Sequence, residues 1–307
     1  MKPLVIYHAD CTDGYGAAFA AWLKLGDEAE YLPLQYGDLL KATNMYKREV
    51  YILDFSFPPE TMDFIFADAN RVVWLDHHAT SRPYAEGKCG GYIESRTERH
   101  SETYDIVHDN NKSGALLAWE HFHPGTEVPM LIKHIDDRDR WQFKLKGTKE
   151  INKAMWSYAP WSFDQWQEMT NDVHYGSMFT EGSAILRAHD QNVTSTVKGS
   201  ARPCLIIATS PKEGGEHWEA NILVHATGLA ANCPPFLTSD VGHELANQSG
   251  TFGLCWTLSK SGLKAQCSLR SNGDYDVSAI AKAFGGGGHR NAAGFETNIE
   301  TLMGWLK

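Results

Sequence analysis

Short apolar runs alternate with helix-patterned stretches over the first half of the chain. Leu4–Tyr7 is an apolar run suited to a buried strand, and it ends in the polar turn His8-Ala9-Asp10-Cys11-Thr12-Asp13-Gly14 before the alanine-rich, helix-like stretch Ala17–Leu25. Glu30–Gln35 reads as a second strand and Glu49–Leu53 as a third, which runs into Asp54. Pro58-Pro59-Glu60 then opens a helix, with proline in the first turn where its missing N–H costs nothing. Arg71–Leu75 is the next strand and ends at Asp76. His8, Asp54 and Asp76 thus stand at strand C-termini. In an open parallel sheet these ends share one edge, and ligands bind in the crevice outside it.

The polar segment Ser81–Asn111 has few apolar residues and many charges, and reads as loop-rich or as a covering flap. Ser113–Glu120 is helical in pattern with Ser113 as N-cap, and Pro129–Ile135 is a further helix that leads into His134-Ile135-Asp136-Asp137-Arg138-Asp139-Arg140-Trp141. Trp156, Tyr158, Trp161 and Trp166 are expected to pack helices together, because nothing in their spacing marks a base-stacking platform. Glu181–Lys198 is a long helix that suits a connector. Beyond it come a strand at Cys204–Ala208, a helix at Ser239–Ala246, and a hairpin of Phe252–Leu258 and Leu263–Leu269 across Ser259-Lys260-Ser261-Gly262. A short helix at Asp276–Phe284 then runs into Gly285-Gly286-Gly287-Gly288-His289-Arg290-Asn291-Ala292-Ala293-Gly294. The pattern predicts an α/β chain with a mainly parallel-sheet domain at residues 1–180, a helical linker at 181–199 and a smaller α/β domain at 200–307.

Charge refines this picture. The 307 residues carry 28 Lys plus Arg against 38 Asp plus Glu, a formal net charge of −10, which argues against a partner held as long duplex nucleic acid by its phosphates. Residues 200–307 hold 9 acids and 8 bases, so the first 199 residues hold 29 and 20 and carry almost all of the acidity. A divalent-cation site there would require this, and a solvated acidic surface would give the same count. The six cysteines form no CxxC pair and no regular spacing, which suggests neither a zinc ribbon nor a disulfide framework. The N-terminus turns polar at His8, too soon for a signal peptide, and no apolar run approaches bilayer length. A soluble cytoplasmic protein with no membrane partner is expected.

The chemistry concentrates in Val72-Val73-Trp74-Leu75-Asp76-His77-His78, where a strand-like run ends in a carboxylate and two adjacent imidazoles. A strand-end Asp taken alone is commonly a cap or a turn residue. Together, His8, Asp13, Asp54, Asp76, His77 and His78 would face one cleft of a parallel sheet, joined by Asp137 from a helix end. Oxygen and imidazole ligands suit Mn²⁺ or Mg²⁺ better than a structural zinc. There are enough carboxylates for one to bridge two ions about 4 Å apart, the arrangement used in phosphoryl hydrolysis. In the C-terminal half, the glycine run can present backbone N–H groups to an anion, and Arg270, His289 and Arg290 could bind phosphate beside it.

The Asp76-His77-His78 run, the turn His8 to Gly14, Asp54 after a strand, and the distant Gly286-Gly287-Gly288-His289 loop followed by Asn291-Ala292-Ala293-Gly294 together resemble the DHH phosphoesterase superfamily. The resemblance spans both its catalytic domain and its C-terminal DHH-associated domain, and is nearest to the nanoRNase, oligoribonuclease-like branch. It implies an active site in the cleft between the domains and two divalent ions as cofactors, Mn²⁺ foremost with Mg²⁺ or Co²⁺ as alternatives. It also implies that His8 binds the first ion, Asp13 the second, that Asp54 bridges them, and that His77 and Asp137 complete the second site. Asp76 would lie in or just behind the ligand shell, and His78 would face the phosphate as donor or acid. The chain departs from the family where many members have Asp-x-Asp-Gly: Cys11-Thr12-Asp13-Gly14 stands there. Cys11, the carboxylate of Asp10 or solvent could fill that position, with Asp10 preferred. Asp136 competes with Asp137 for the later position.

What the resemblance implies is a metal-dependent phosphoesterase. Its substrates would be short oligoribonucleotides, dinucleotides, cyclic nucleotides or 3'-phosphoadenosine 5'-phosphate, hydrolysed by a metal-activated water. A pyrophosphatase or polyphosphatase on the same metal core, and a non-catalytic nucleotide or RNA sensor, are the alternatives. Whether the chain forms a homodimer is left open. Asp76→Ala is expected to abolish Mn²⁺-dependent hydrolysis across a panel of these substrates; retained turnover would remove the Asp-His-His run from the site.

Overall fold

Four buried residues in a row, Leu4 to Tyr7, leave no face for solvent, as in a strand covered by helices on both sides. They lie in β1 (Leu4–His8), which pairs in parallel with β2 (Glu30–Leu34) on one side and β3 (Glu49–Leu53) on the other. The computed structural model describes residues 1–38, 45–89, 96–211, 220–259 and 261–307. Two further strands, β4 (Arg71–Asp76) and β6 (Tyr104–Asp109), extend the parallel array, and β5 (Arg96–His100) adds an antiparallel edge, giving the order β2-β1-β3-β4-β6-β5. The fold is the α/β class expected from the alternation of strands and helices.

Strand alternation divides the apolar residues between two layers. Val5, Tyr7, Leu53, Val73 and Leu75 face α1 (Thr12–Leu25), α4 (Gly114–Phe122), α5 (Met130–Asp139), α6 (Thr148–Ser157) and α7 (Phe163–Met169). Leu4, Ile6, Ile52, Val72 and Trp74 face α2 (Pro59–Asp68) and α3 (Arg82–Cys89). Trp166 is fully buried, and Tyr158 and Trp161 pack against the same core, so three of the four aromatics hold helices together. Trp156 is half-exposed beside Trp161.

The polar segment Ser81–Asn111 is not a loop-rich flap: its described residues form α3, β5 and β6, while residues 90–95 lie outside the described residues. Charge counting hides β6 because its polar residues are inside. Asp105, His108 and Asp109 are buried with Ile106 and Val107, so the strand has no apolar period to read.

The chain divides into two compact units, Met1–Leu186 and Arg187–Lys307, with the boundary inside α8 (Asp172–Ser200). The second unit has its own sheet of β7 (Arg202–Pro211), β8 (Ala220–Asn232), β9 (Phe252–Leu258), β10 (Lys264–Ser271), β11 (Gly287–His289) and β12 (Ala292–Asn298), in the order β11-β12-β10-β9-β8-β7. β9 and β10 are the expected antiparallel hairpin, although Lys260 of its turn lies outside the described residues. β8 pairs with β9 in parallel and had no counterpart in the sequence reading. The unit also contains the helices α9 (Thr238–Ser249), α10 (Val277–Ala283) and α11 (Ile299–Trp305). No helix among the described residues is long and apolar enough to cross a membrane.

One close approach in the first unit couples packing to the strand ends. Gly114, the first residue of α4, lies so near Asp54 that a Cβ built on it would stand 2.3 Å from the Asp54 Cβ. Gly114→Ala is therefore expected to destabilise the protein by about 2 kcal/mol through overpacking. Urea denaturation measures this, and an unchanged midpoint would mean that helix and strand end separate freely.

Candidate metal centre

Parallel register brings the chemistry to one edge. Tyr7 pairs with Leu53 and Leu53 with Leu75, so the next residues, His8, Asp54 and Asp76, stand side by side where the strands end. Asp54 donates its N–H to Leu75 O at 2.9 Å and turns with φ +53°, a left-handed conformation that Asp tolerates better than most residues. Asp13, in the first turn of α1, is buried and accepts the Gly114 N–H at 2.7 Å and the Ala115 N–H at 2.8 Å. The N-terminus of α4 thus stabilises its negative charge.

Three carboxylates converge on one imidazole. His77 Nε2 lies 3.1 Å from Asp54 Oδ1, 3.4 Å from Asp13 Oδ2 and 3.7 Å from Asp139 Oδ2. Burial opposes the imidazolium, yet Asp139, Asp54 and Asp13 together hold the His77 pKa well above the ordinary histidine value. Burial, Asp54 and Asp139 push the Asp13 carboxyl up. Burial also works to raise Asp54, but hydrogen bonds from His77 and His8 bring it well below the usual carboxylate range. Asp13 and Asp54 are buried and Asp139 is exposed, and a divalent cation among them would offset their charge.

Among the described residues, the donor atoms fall into three overlapping groups, each within 4.8 Å of one another: His8, Cys11 and Asp54; Asp54, His77 and His78; and Asp13, His77 and Asp139. Asp54 is common to two of them, and its second oxygen lies 3.8 Å from His8 Nδ1. Asp54 thus lies between His8 and His77.

Asp76 is fully buried and does something else. Its Oδ1 accepts the His77 N–H at 2.7 Å, the His78 N–H at 3.2 Å and His78 Nδ1 at 2.7 Å, while Oδ2 accepts the Ser81 hydroxyl at 2.6 Å and the Ser56 hydroxyl. Saturated in this way, the carboxylate orients the two histidines and belongs to none of the donor groups, so it lies behind the ligands. Burial would raise its pKa, but His78 and its hydrogen bonds hold it well below the usual range. His108, on β6, braces the same loop by bonding His78 O at 2.9 Å and Ser81 Oγ at 3.2 Å. Neither Ser56, Ser81 nor His108 carries a sequence signal, since each acts through Asp76 or its loop.

Two expected positions move. Asp10 bonds Gln35 Nε2 at 3.1 Å and joins no donor group, whereas its neighbour Cys11 does. Asp137 joins no donor group. It accepts the N–H groups of Lys144 at 2.8 Å and Leu145 at 3.0 Å and the Thr148 hydroxyl at 2.5 Å, and so fastens the turn after α5. Asp136 accepts the Ser113 N–H at 2.8 Å and bonds Arg140 at 3.1 Å. Asp139, two residues on from Asp137, is the carboxylate that meets His77 and Asp13.

In the second unit, the glycine run is not a loop of free N–H groups. Gly285 and Gly286 donate to Lys282 O and Ala281 O at the end of α10, and Gly287, Gly288 and His289 pair with β12 as an edge strand. Side chains are excluded for packing reasons: a Cβ on Gly286 would meet Gly294 O at 2.1 Å, and one on Gly288 would meet Ala292 O at 2.5 Å. Arg270 bonds Ser239 Oγ at 3.1 Å and Leu269 O at 2.9 Å, and Arg290 lies 3.5 Å from Asp274.

No protein-family model matches the chain. An uncharacterized protein of Acanthamoeba polyphaga mimivirus is 29% identical over 315 residues, which cover 95% of this chain and 66% of that protein, so the chain spans about two thirds of the relative's length. Among solved structures, the pGpG-specific phosphodiesterase PggH from Vibrio cholerae aligns with a TM-score of 0.43 at 13% identity, over 98% of this chain and 94% of its own. RecJ from Thermus thermophilus aligns over 99% of this chain in both of its metal complexes at 10% identity. The TM-score is 0.49 with Mn²⁺, covering 50% of RecJ, and 0.42 with Mg²⁺, covering 48%.

Asp76→Asn places an amide where five donors expect a carboxylate, and is expected to cost about 3 kcal/mol near neutral pH. Because the folded pKa lies below the unfolded value of about 3.9, that stability is present above pH 4 and is lost as the pH falls through the folded value. Chemical denaturation of both proteins should show a gap at pH 7 that closes in acid; a constant gap would mean that the charge is not what matters.

Proposed function

We propose that this chain is a metal-dependent phosphoesterase of the DHH superfamily acting on short nucleotidic substrates. The observation that carries the reading is Asp54, a single buried carboxylate facing His8 on one side and His77 on the other, within two donor groups. The donors fit divalent ions: His8 and Asp54 would hold one, and Asp13, Asp54, His77 and Asp139 the other. Ions bound there would supply Lewis acidity towards a phosphoryl oxygen and the means to activate a water.

The chain's own residues supply orientation. Asp76 holds the His78 ring through Nδ1 at 2.7 Å. Burial opposes the charged ring, but Asp76 raises its pKa and orients the ring through its hydrogen bond to Nδ1. Asp13 and Asp139 confine His77 from the other side. In the second unit, Arg270 is the substrate-binding candidate with a fixed guanidinium, while His289 ends the edge strand and Arg290 follows it.

Tyr36 supports a nucleotide over pyrophosphate or polyphosphate. It is 52% exposed, stacks on the buried ring of Phe55 at 4.9 Å with 24° between planes, and stands 5.3 Å from the His8 ring and 6.0 Å from that of His78. An exposed aromatic ring beside a phosphate-handling site offers a base about 1–3 kcal/mol of stacking. Tyr36→Ala is expected to raise KM for a dinucleotide about tenfold, with Tyr36→Phe near the unmodified enzyme. Steady-state kinetics on a dinucleotide and on pyrophosphate, with Mn²⁺, test both statements. Pyrophosphate turning over far faster than the dinucleotide would overturn the substrate class.

A further inference from the structure

We propose that Cys11 is a thiolate ligand of the ion held by His8 and Asp54, so that the two halves of the centre differ in metal preference. The inference rests on the metal-centre reading above and deepens it. Cys11 occupies the N-cap of α1 with extended backbone, φ −137° and ψ 135°, yet its side chain makes no capping hydrogen bond. Ser, Thr, Asp or Asn would cap this helix better. The sulfur instead lies within 4.8 Å of a His8 nitrogen and an Asp54 oxygen, the distances of a shared ion.

Three features of the chain hold it there. Asp10 has φ +52°, and this left-handed step, fastened by the Gln35 amide on its carboxylate, turns the following residue inward. Tyr15 N–H bonds Cys11 O at 3.0 Å, which fixes the residue to the first turn of α1. Gly14 permits the turn to close on β1, since a Cβ there would stand 2.2 Å from His8 O. Asp54 belongs to the same donor group as the sulfur, and Asp13 and Asp139 belong to a neighbouring group joined to it through His77. The same carboxylates favour a cation at that place, and as the metal–sulfur bond forms the thiol proton passes to solvent.

The consequence is chemical asymmetry. A thiolate, imidazole and carboxylate set suits Zn²⁺, Co²⁺ or Fe²⁺, whereas Asp13, His77 and Asp139 offer only oxygen and nitrogen, which suit Mn²⁺ or Mg²⁺. On this proposal the centre is mixed, with sulfur on one side only.

Cobalt spectroscopy on the full chain, stripped of metal and titrated with Co²⁺, tests the assignment without reference to turnover. The near-ultraviolet charge-transfer absorption of a cobalt–thiolate bond is expected in the unmodified protein and in a Cys89→Ser control, and is expected to be lost in Cys11→Asp. Cys11→Asp should still bind cobalt through its carboxylate, and its preference for Zn²⁺ over Mn²⁺ in competition should fall at least about tenfold. Cobalt bound by the unmodified protein without the thiolate band, or a band that persists in Cys11→Asp, overturns the role of Cys11 and leaves the metal centre standing. No cobalt bound by the unmodified protein overturns both.

Discussion

Asp13, Asp54 and Asp139 crowd one imidazole at the end of a parallel sheet, and the structure around them is arranged to make that crowding tolerable. Like charges in a partly desolvated place repel strongly. The N-terminus of α4 answers one of them by placing two N–H groups on Asp13. That requires the helix to begin hard against β3, which in turn requires a residue without a side chain at Gly114. Asp54 answers in its own backbone, taking a left-handed turn that swings its carboxylate between His8 and His77. Glycine would adopt this turn more readily, but it would bring no carboxylate. The donor groups that result, each with atoms within 4.8 Å of one another, could hold a metal ion.

Within the Asp-His-His run the labour is divided by direction. The four residues Val72 to Leu75 are buried on both faces, so β4 cannot shift without exposing apolar area, and Asp76 is fixed by the strand before any polar contact is made. Its carboxylate then spends every lone pair on Ser56, Ser81 and the loop that carries the histidines. The loop that carries both histidines is thereby fixed to the carboxylate. His108 has a related role one strand away, where burial lowers its pKa and favours the neutral ring as it bonds His78 O.

Much of this was legible in the sequence, and the rest was hidden for identifiable reasons. Strand ends could be read because a continuous apolar run stops abruptly at His8, Asp54 and Asp76, and parallel pairing makes such stops coincide. β6 could not be read, because a strand whose polar side chains point inward has the composition of a loop. The choice among Asp136, Asp137 and Asp139 depends on how α5 is rotated about its axis. Successive residues of a helix point about 100° apart, so neighbours in sequence serve three unrelated places: the N-cap of α4, the turn after α5, and His77. No local pattern contains that rotation. The glycine run is ambiguous for a different reason, since glycines that admit an anion and glycines that admit a neighbouring strand are the same residues; here Gly294 O and Ala292 O stand where side chains on Gly286 and Gly288 would go.

The same ambiguity of neighbours operates in the first turn, where it has chemical weight. Asp10 is the better ligand by residue type, and it stands one position from a residue that faces the site. Its left-handed φ and its bond to Gln35 turn its carboxylate outward, and that outward turn is what brings Cys11 in. An aspartate at position 10 therefore serves the site through backbone geometry, as Asp76 serves it through hydrogen bonds. Two acidic residues that composition would count as ligands are supports instead, and a sulfur that composition would set aside lies among the donors.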